Sequence, residues 1–248
     1  LYKIMNDTLK DKPVVFEWTY EAGGQTVAEG RKQMRIEPGH GEEFLVPIEA
    51  PETDVRLEGT LTVKVSQPDV DSTDDFVDEH PIPVLPSVNS LAIDESVYVL
   101  DPSGNVTAFL EAAGQKFESV DTISEIDGKE GLLIAGPNAL TAEQAFGRDI
   151  LKFAAQGGRA VVLEQQNPVS GANLPAPLVS TRHYGGYAHP QALGTPVFRD
   201  LGEIDFIDWS GDHPTYVKSY QKPTQGGRAL IESGAWLERT PLVEMPAG

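Results

Sequence analysis

The apolar residues of this chain change their period near its middle. Up to about residue 86 they alternate with polar ones, and beyond about residue 90 short apolar runs alternate with stretches of helical spacing. The clearest alternation covers residues 56–66. Leu57, Gly59, Leu61, Val63 and Val65 share one face, and Arg56, Glu58, Thr60, Thr62 and Lys64 the other, which predicts a strand in a sheet with one wet side. Phe16, Trp18 and Tyr20 alternate with Val15, Glu17 and Thr19 in the same way, so Trp18 is expected in the core rather than as a free stacking platform. Gly23 and Gly24 supply the positive φ of a tight hairpin, with residues 25–36 expected back as the partner strand. Pro38-Gly39 and Pro51-Glu52 mark turns around a short strand expected at residues 44–48. Short strands between turn signals predict an immunoglobulin-like β-sandwich over residues 1–86.

The second half reads differently. Residues 96–100 form an apolar run ended by Asp101-Pro102-Ser103-Gly104, and residues 105–113 have helical spacing closed by Gly114. Further strands are expected at 117–120, 132–135 and 159–163. Thr141 with Gln144 is a capping box, after which Phe146, Ile150 and Ala154 predict one helix ended by Gly157-Gly158. Strands and helices in this order predict a mostly parallel sheet in a three-layer α/β domain over residues 90–248. Runs at 216–220, 229–233 and 242–245 are expected to extend that sheet as antiparallel strands, after a long loop at 164–195. Prolines stiffen the seam between the halves, residues 78–89.

Charge and composition narrow the classes of function. The net charge of −19 is spread evenly, with 8 Lys and Arg against 18 Asp and Glu in residues 1–86 and 11 against 20 thereafter. Nucleic acid and anionic membranes need a basic footprint, so neither is an expected partner. No cysteine is present, which excludes disulfides, thiolate metal sites and cysteine nucleophiles. No apolar run approaches the roughly 20 residues of a membrane span. The chain starts at Leu1 without a signal-peptide pattern and stops at Gly248 where a turn is expected, so both ends read as cuts through a longer chain.

Candidate chemistry is sparse. Asp69, Asp71, Asp74, Asp75, Asp78 and Glu79 crowd the seam without EF-hand spacing and read as a solvated acidic loop. His183, His189, Asp205, Asp208, Asp212 and His213 match no ligand spacing, and no metal or cofactor is expected. In open α/β sheets ligands sit beyond the carboxyl ends of the strands. Those ends make Asp101, Ser103, Asn138, Glu164 and Gln165 the candidate ligand-binding residues, with Ser103 and Gly104 ahead of a helix N-terminus where an anion would meet free amides. Glu164 is also the base that a small hydrolase in this crevice would need. Tyr184-Gly185-Gly186-Tyr187 is a candidate sugar-stacking loop, with Trp209 and Trp236 as further platforms.

The element order of the second half resembles the flavodoxin-like class I glutamine amidotransferase fold. That family carries a nucleophile on the sharp turn after the strand at 159–163. Here the turn reads Glu164-Gln165-Gln166-Asn167-Pro168, and His213 is followed by Pro214 and Thr215, so the nucleophile and the late His-x-Glu pair are both missing. With residues 45–51, 82–86, 195–202, 205–212 and 240–248, the two halves together resemble the region after the catalytic barrel in bacterial family 2, β-galactosidase-like glycoside hydrolases. The resemblance implies a non-catalytic accessory region of a secreted or periplasmic parent enzyme. Its partners would be the parent's other domains, carbohydrate, or a second copy of itself. The family's two carboxylates lie on a barrel that this chain does not carry, so no catalytic residue is assigned.

Overall fold

A computed structural model describes residues 2–68, 75–87, 92–191, 193–207 and 215–247, and divides the chain into two units, Leu1–Ser87 and Val88–Gly248. The first contains β1 (Tyr2–Met5), β2 (Lys12–Ala22), β3 (Gln25–Ile36), β4 (Gly41–Phe44), β5 (Gly59–Ser66) and β6 (Phe76–Pro81). Four of these form an antiparallel sheet in the order β3-β2-β5-β6, and β1 pairs with β4 in a separate antiparallel ribbon. Two sheets facing one apolar core fit a β-sandwich. Phe16, Tyr20, Leu61 and Val63 are its buried centre, against which Tyr2, Ile4, Phe44, Val46 and Ile48 pack. The rings of Phe16 and Phe44 meet edge to face with centroids 4.2 Å apart.

The β2–β3 hairpin turns on Gly23 and Gly24, both at positive φ, as the sequence requires. Trp18 packs on the core from a partly buried position. Gly30 lies opposite it in register, and a Cβ there would come within 2.6 Å of the indole, so the glycine makes room for the ring. Two expectations shift. The strand near residue 44 starts earlier, at Gly41, and Val46 and Ile48 reach the core from irregular chain. The seam's first residues, Asp78 to Pro81, belong to edge strand β6 and pair with β5, because an edge position tolerates a terminal proline. Asp75 pairs with Lys64 at 2.7 Å, whereas Asp69, Asp71 and Asp74 lie outside the described residues.

The second unit begins with β7 (Val97–Leu100), α1 (Asn105–Ala112), β8 (Glu118–Ser119), β9 (Leu132–Ala135), α2 (Ala142–Phe146), α3 (Asp149–Ala155) and β10 (Arg159–Val162). These strands form a parallel sheet ordered β8-β7-β9-β10. Alternate residues of β7 feed two cores. Val97 and Val99 meet Val106 and Leu110 of α1, while Tyr98 and Leu100 join Leu133, Ile150 and Phe153. Helices therefore cover both faces of this sheet.

The helix expected through Phe146, Ile150 and Ala154 is instead two, broken at Gly147-Arg148, and Phe146 is 66% exposed. Asn173, fully buried, explains the break: its Oδ1 accepts from the Ile150 amide at 2.9 Å, and its Nδ2 donates to the Gln144 carbonyl at 2.8 Å. One side chain thus caps the start of α3 and the end of α2.

The remaining strands are β11 (Ser180–Thr181), β12 (His189–Pro190), β13 (Ser219–Gln221), β14 (Arg228–Ser233) and β15 (Arg239–Glu244). They do not extend the parallel sheet. They form their own antiparallel sheet, β11-β13-β15-β14-β12, around a separate core of Ala188, Phe198, Leu230 and Ile231. The stretch expected as a long loop supplies both of its edge strands. No helix among the described residues is long and apolar enough to cross a membrane.

Candidate functional site

In the order β8-β7-β9-β10 the chain leaves β7 to one side for β8 and lies on the other side for β9, which opens a crevice at the carboxyl ends of the strands. The crevice measures about 210 Å³, and its polar lining includes Asp101, Thr107, Ser119, Asp121, Thr141 and Gln144. Thr141 and Gln144 form the expected capping box, with the Thr141 amide donating to Gln144 Oε1 at 2.9 Å and the Gln144 amide to Thr141 Oγ1 at 3.2 Å. The Gln144 Nε2 then donates across the crevice to the Asp121 carbonyl at 3.3 Å.

Asp101 is committed to the protein itself. Its Oδ2 accepts from the amides of Val106 at 2.7 Å and Thr107 at 3.0 Å, and its Oδ1 from the Ser103 hydroxyl at 2.7 Å. Burial pushes its pKa up, but the hydrogen bonds from Thr107, Ser103 and Val106 together outweigh this and hold it below the ordinary aspartate value. The free amides that were expected to meet an anion at the start of α1 already have a carboxylate. Ser103 acts on that carboxylate rather than in the crevice.

The other strand-end candidates are used structurally. Asn138 is exposed at φ 55° and its amide donates to the Glu164 carbonyl at 2.8 Å, tying two loops. Gln165, at the elbow position, is buried. Its Nε2 donates to the carbonyls of Gly136 at 2.8 Å and Leu163 at 2.9 Å, and its Oε1 accepts from the Leu140 amide at 2.9 Å. Glu164 is exposed and pairs with Lys218 at 3.3 Å, while the Lys218 ammonium also donates to the Gln165 carbonyl at 2.6 Å. Of the five strand-end residues, only Asp101 lines the crevice. Ser119 and Asp121 line the crevice without being among the candidates, and the signal for them is the carboxyl end of the strand expected at 117–120.

A second concavity, about 310 Å³, lies on the antiparallel sheet between Gln221, Lys222, Glu238 and Arg239. Cross-strand pairing of Gln221 with Arg239 brings β13 and β15 together there. The adjoining turn carries Trp236, 89% exposed. Hydrogen bonds from its own amide, from Arg239 and from the Trp236 amide lower the Glu238 pKa below the usual glutamate value. Tyr184 and Tyr187 are also exposed, but the chain between them is pinned: the Gly185 amide donates to the Tyr216 carbonyl at 3.2 Å, and a Cβ on Gly185 would lie 2.8 Å from the Tyr216 hydroxyl. Trp209, Asp208, Asp212 and His213 lie outside the described residues. Among the described residues no three His, Asp or Glu side chains gather as a metal site. Comparison with protein-family models finds no match to this chain, and comparison with curated proteins finds none either.

Proposed function

We propose that the chain is a non-catalytic accessory region of a larger bacterial glycoside hydrolase of the β-galactosidase-like family 2 type. In this reading the β-sandwich is immunoglobulin-like and the α/β unit is a flavodoxin-like, amidotransferase-like scaffold that has lost its nucleophile. It serves to position the catalytic barrel, to shape the rim of its pocket or to hold copies together.

The observation that carries the proposal is Gln165. A nucleophile at an elbow must present a free reactive atom to a substrate. Here the equivalent side chain is turned inward, and its amide staples Gly136 and Leu140, in the one loop between β9 and α2, to Leu163 at the end of β10. The strand order β8-β7-β9-β10 supports the scaffold assignment, being the 2-1-3-4 order of flavodoxin-like sheets. A hydrolase built on Glu164 lacks support, since that carboxylate is exposed, ion-paired and away from the crevice.

The purified chain is expected to release no nitrophenol from a panel of p-nitrophenyl glycosides. The reading frame that contains it is expected to encode a barrel, and its product to hydrolyse at least one member of the panel. Turnover by the 248-residue chain that survives repurification, or a reading frame without a barrel, sinks the proposal.

A further inference from the structure

The β14–β15 turn holds the most exposed tryptophan among the described residues in a fixed setting. The Leu237 amide closes the turn on the Gly234 carbonyl at 3.1 Å, with Gly234 at φ 87° and Leu237, which carries a side chain, at φ 55°. A branched residue in the left-handed region is strained, and such strain persists only where the surroundings impose it. Glu238 does so from beneath. Its carboxylate accepts from the Trp236 amide at 3.0 Å and from Arg239 Nε at 3.0 Å, and a Cβ on Gly234 would sit 2.9 Å from both its oxygens. Trp236 therefore projects from a braced turn while giving up almost none of its apolar surface to the fold. Tryptophan is highly buried on average, and one held out in this way leaves a flat apolar face open to stacking.

The cleft next to the turn shares Glu238 with it. Its two cations are both compensated, Arg239 by Glu238 and Lys222 by Glu232, so it has no spare positive charge for an anionic ligand, and the net charge of −19 opposes one further. The same two cations disfavour a cationic ligand. Gln221, an exposed residue that lines the cleft, carries a side-chain amide with both donors and an acceptor. The volume of about 310 Å³ is at the small end of the range for small-ligand sites, about 300–1,000 Å³. A flat apolar platform beside a neutral rim of donors and acceptors matches a neutral sugar ring, which has apolar C–H faces and a rim of hydroxyls.

We propose that this corner binds a neutral pyranose within a polysaccharide chain, the ring stacking on Trp236 and its hydroxyls bonding to Gln221, Glu238 and Arg239. The inference does not rest on the glycoside hydrolase reading, because it requires binding and no hydrolysis.

The test uses the 248-residue chain in calorimetric titrations with cello-, xylo-, manno- and galactohexaose, and with polygalacturonate as the anionic control. At least one neutral hexasaccharide is expected to bind saturably with a Kd below about 5 mM, at the weak end of the affinity scale. Trp236→Ala is expected to weaken it by about tenfold or more, with Trp236→Tyr recovering part of the loss. Unchanged thermal unfolding would show that both variants fold. Three outcomes overturn the proposal: no saturable binding by any neutral hexasaccharide, equal binding by Trp236→Ala, or binding by polygalacturonate alone.

Discussion

The Asp101 carboxylate takes four hydrogen bonds at the start of α1, from the Val106 and Thr107 amides and the Ser103 and Thr107 hydroxyls, and its depressed pKa records that they prefer the charged form. A group whose folded pKa lies below its unfolded value adds stability above the unfolded pKa, near 4 for aspartate, and loses it as pH falls through the folded value. Asp101→Ala is therefore expected to lower the unfolding free energy by about 0.5–2 kcal/mol at pH 7, the range for losing a helix cap. In urea titrations the gap between wild type and variant should close as pH drops below about 4. A gap that stays constant with pH would mean that the carboxylate's charge contributes nothing. The residue types at this turn were legible from the sequence, and so was a helix start. What the sequence hid was that the aspartate reaches five and six residues ahead, to Val106 and Thr107, and so fills the place an anion was expected to take.

At the scale of elements, legibility followed length. The β2–β3 hairpin and β5 carry long alternations, and the bounds expected for β3 agree with the structure to the residue. Strands β11 and β12 have two residues each, too few to show a period, so from the sequence the sheet at the end of the chain reads as an extension of the parallel one. The break between α2 and α3 was hidden for another reason. Its cause, Asn173, lies 23 residues beyond Ile150, and nothing local to the helices announces it. That dependence makes a test. Asn173→Ala leaves the Ile150 amide and the Gln144 carbonyl without their partner in a buried place, at a cost of about 1–3 kcal/mol for an unsatisfied group. Hydrogen exchange is the sharper measurement: protection of the Ile150 amide should fall selectively, while the β2 and β5 amides in the other unit keep theirs. Equal loss throughout, or none at Ile150, would show that the clamp is not what holds the helix pair.

For the whole molecule the dominant fact is charge. Both halves carry a similar acidic excess, so neither offsets the other. Many of the ion pairs are exposed, including Lys3 with Glu43, Arg31 with Glu17 and Lys129 with Glu118, and pairs of that kind contribute about 0–1 kcal/mol each. Repulsion among the uncompensated carboxylates extends over the screening length, about 30 Å at 0.01 M salt and about 3 Å at 1 M. The two effects have opposite signs in salt. Screening weakens the pairs and weakens the repulsion, and with twice as many acidic as basic side chains, 38 against 19, the repulsion is the larger sum. Raising sodium chloride from about 0.01 to 0.5 M is therefore expected to raise the melting temperature by a few degrees, where about 1 kcal/mol corresponds to about 2–4 °C for a chain of this size. The acidic excess is shared, so a calorimetric trace that resolves two transitions should show both moving upward. A transition that moves down would mark a unit in which its ion pairs, and not its excess charge, set the balance.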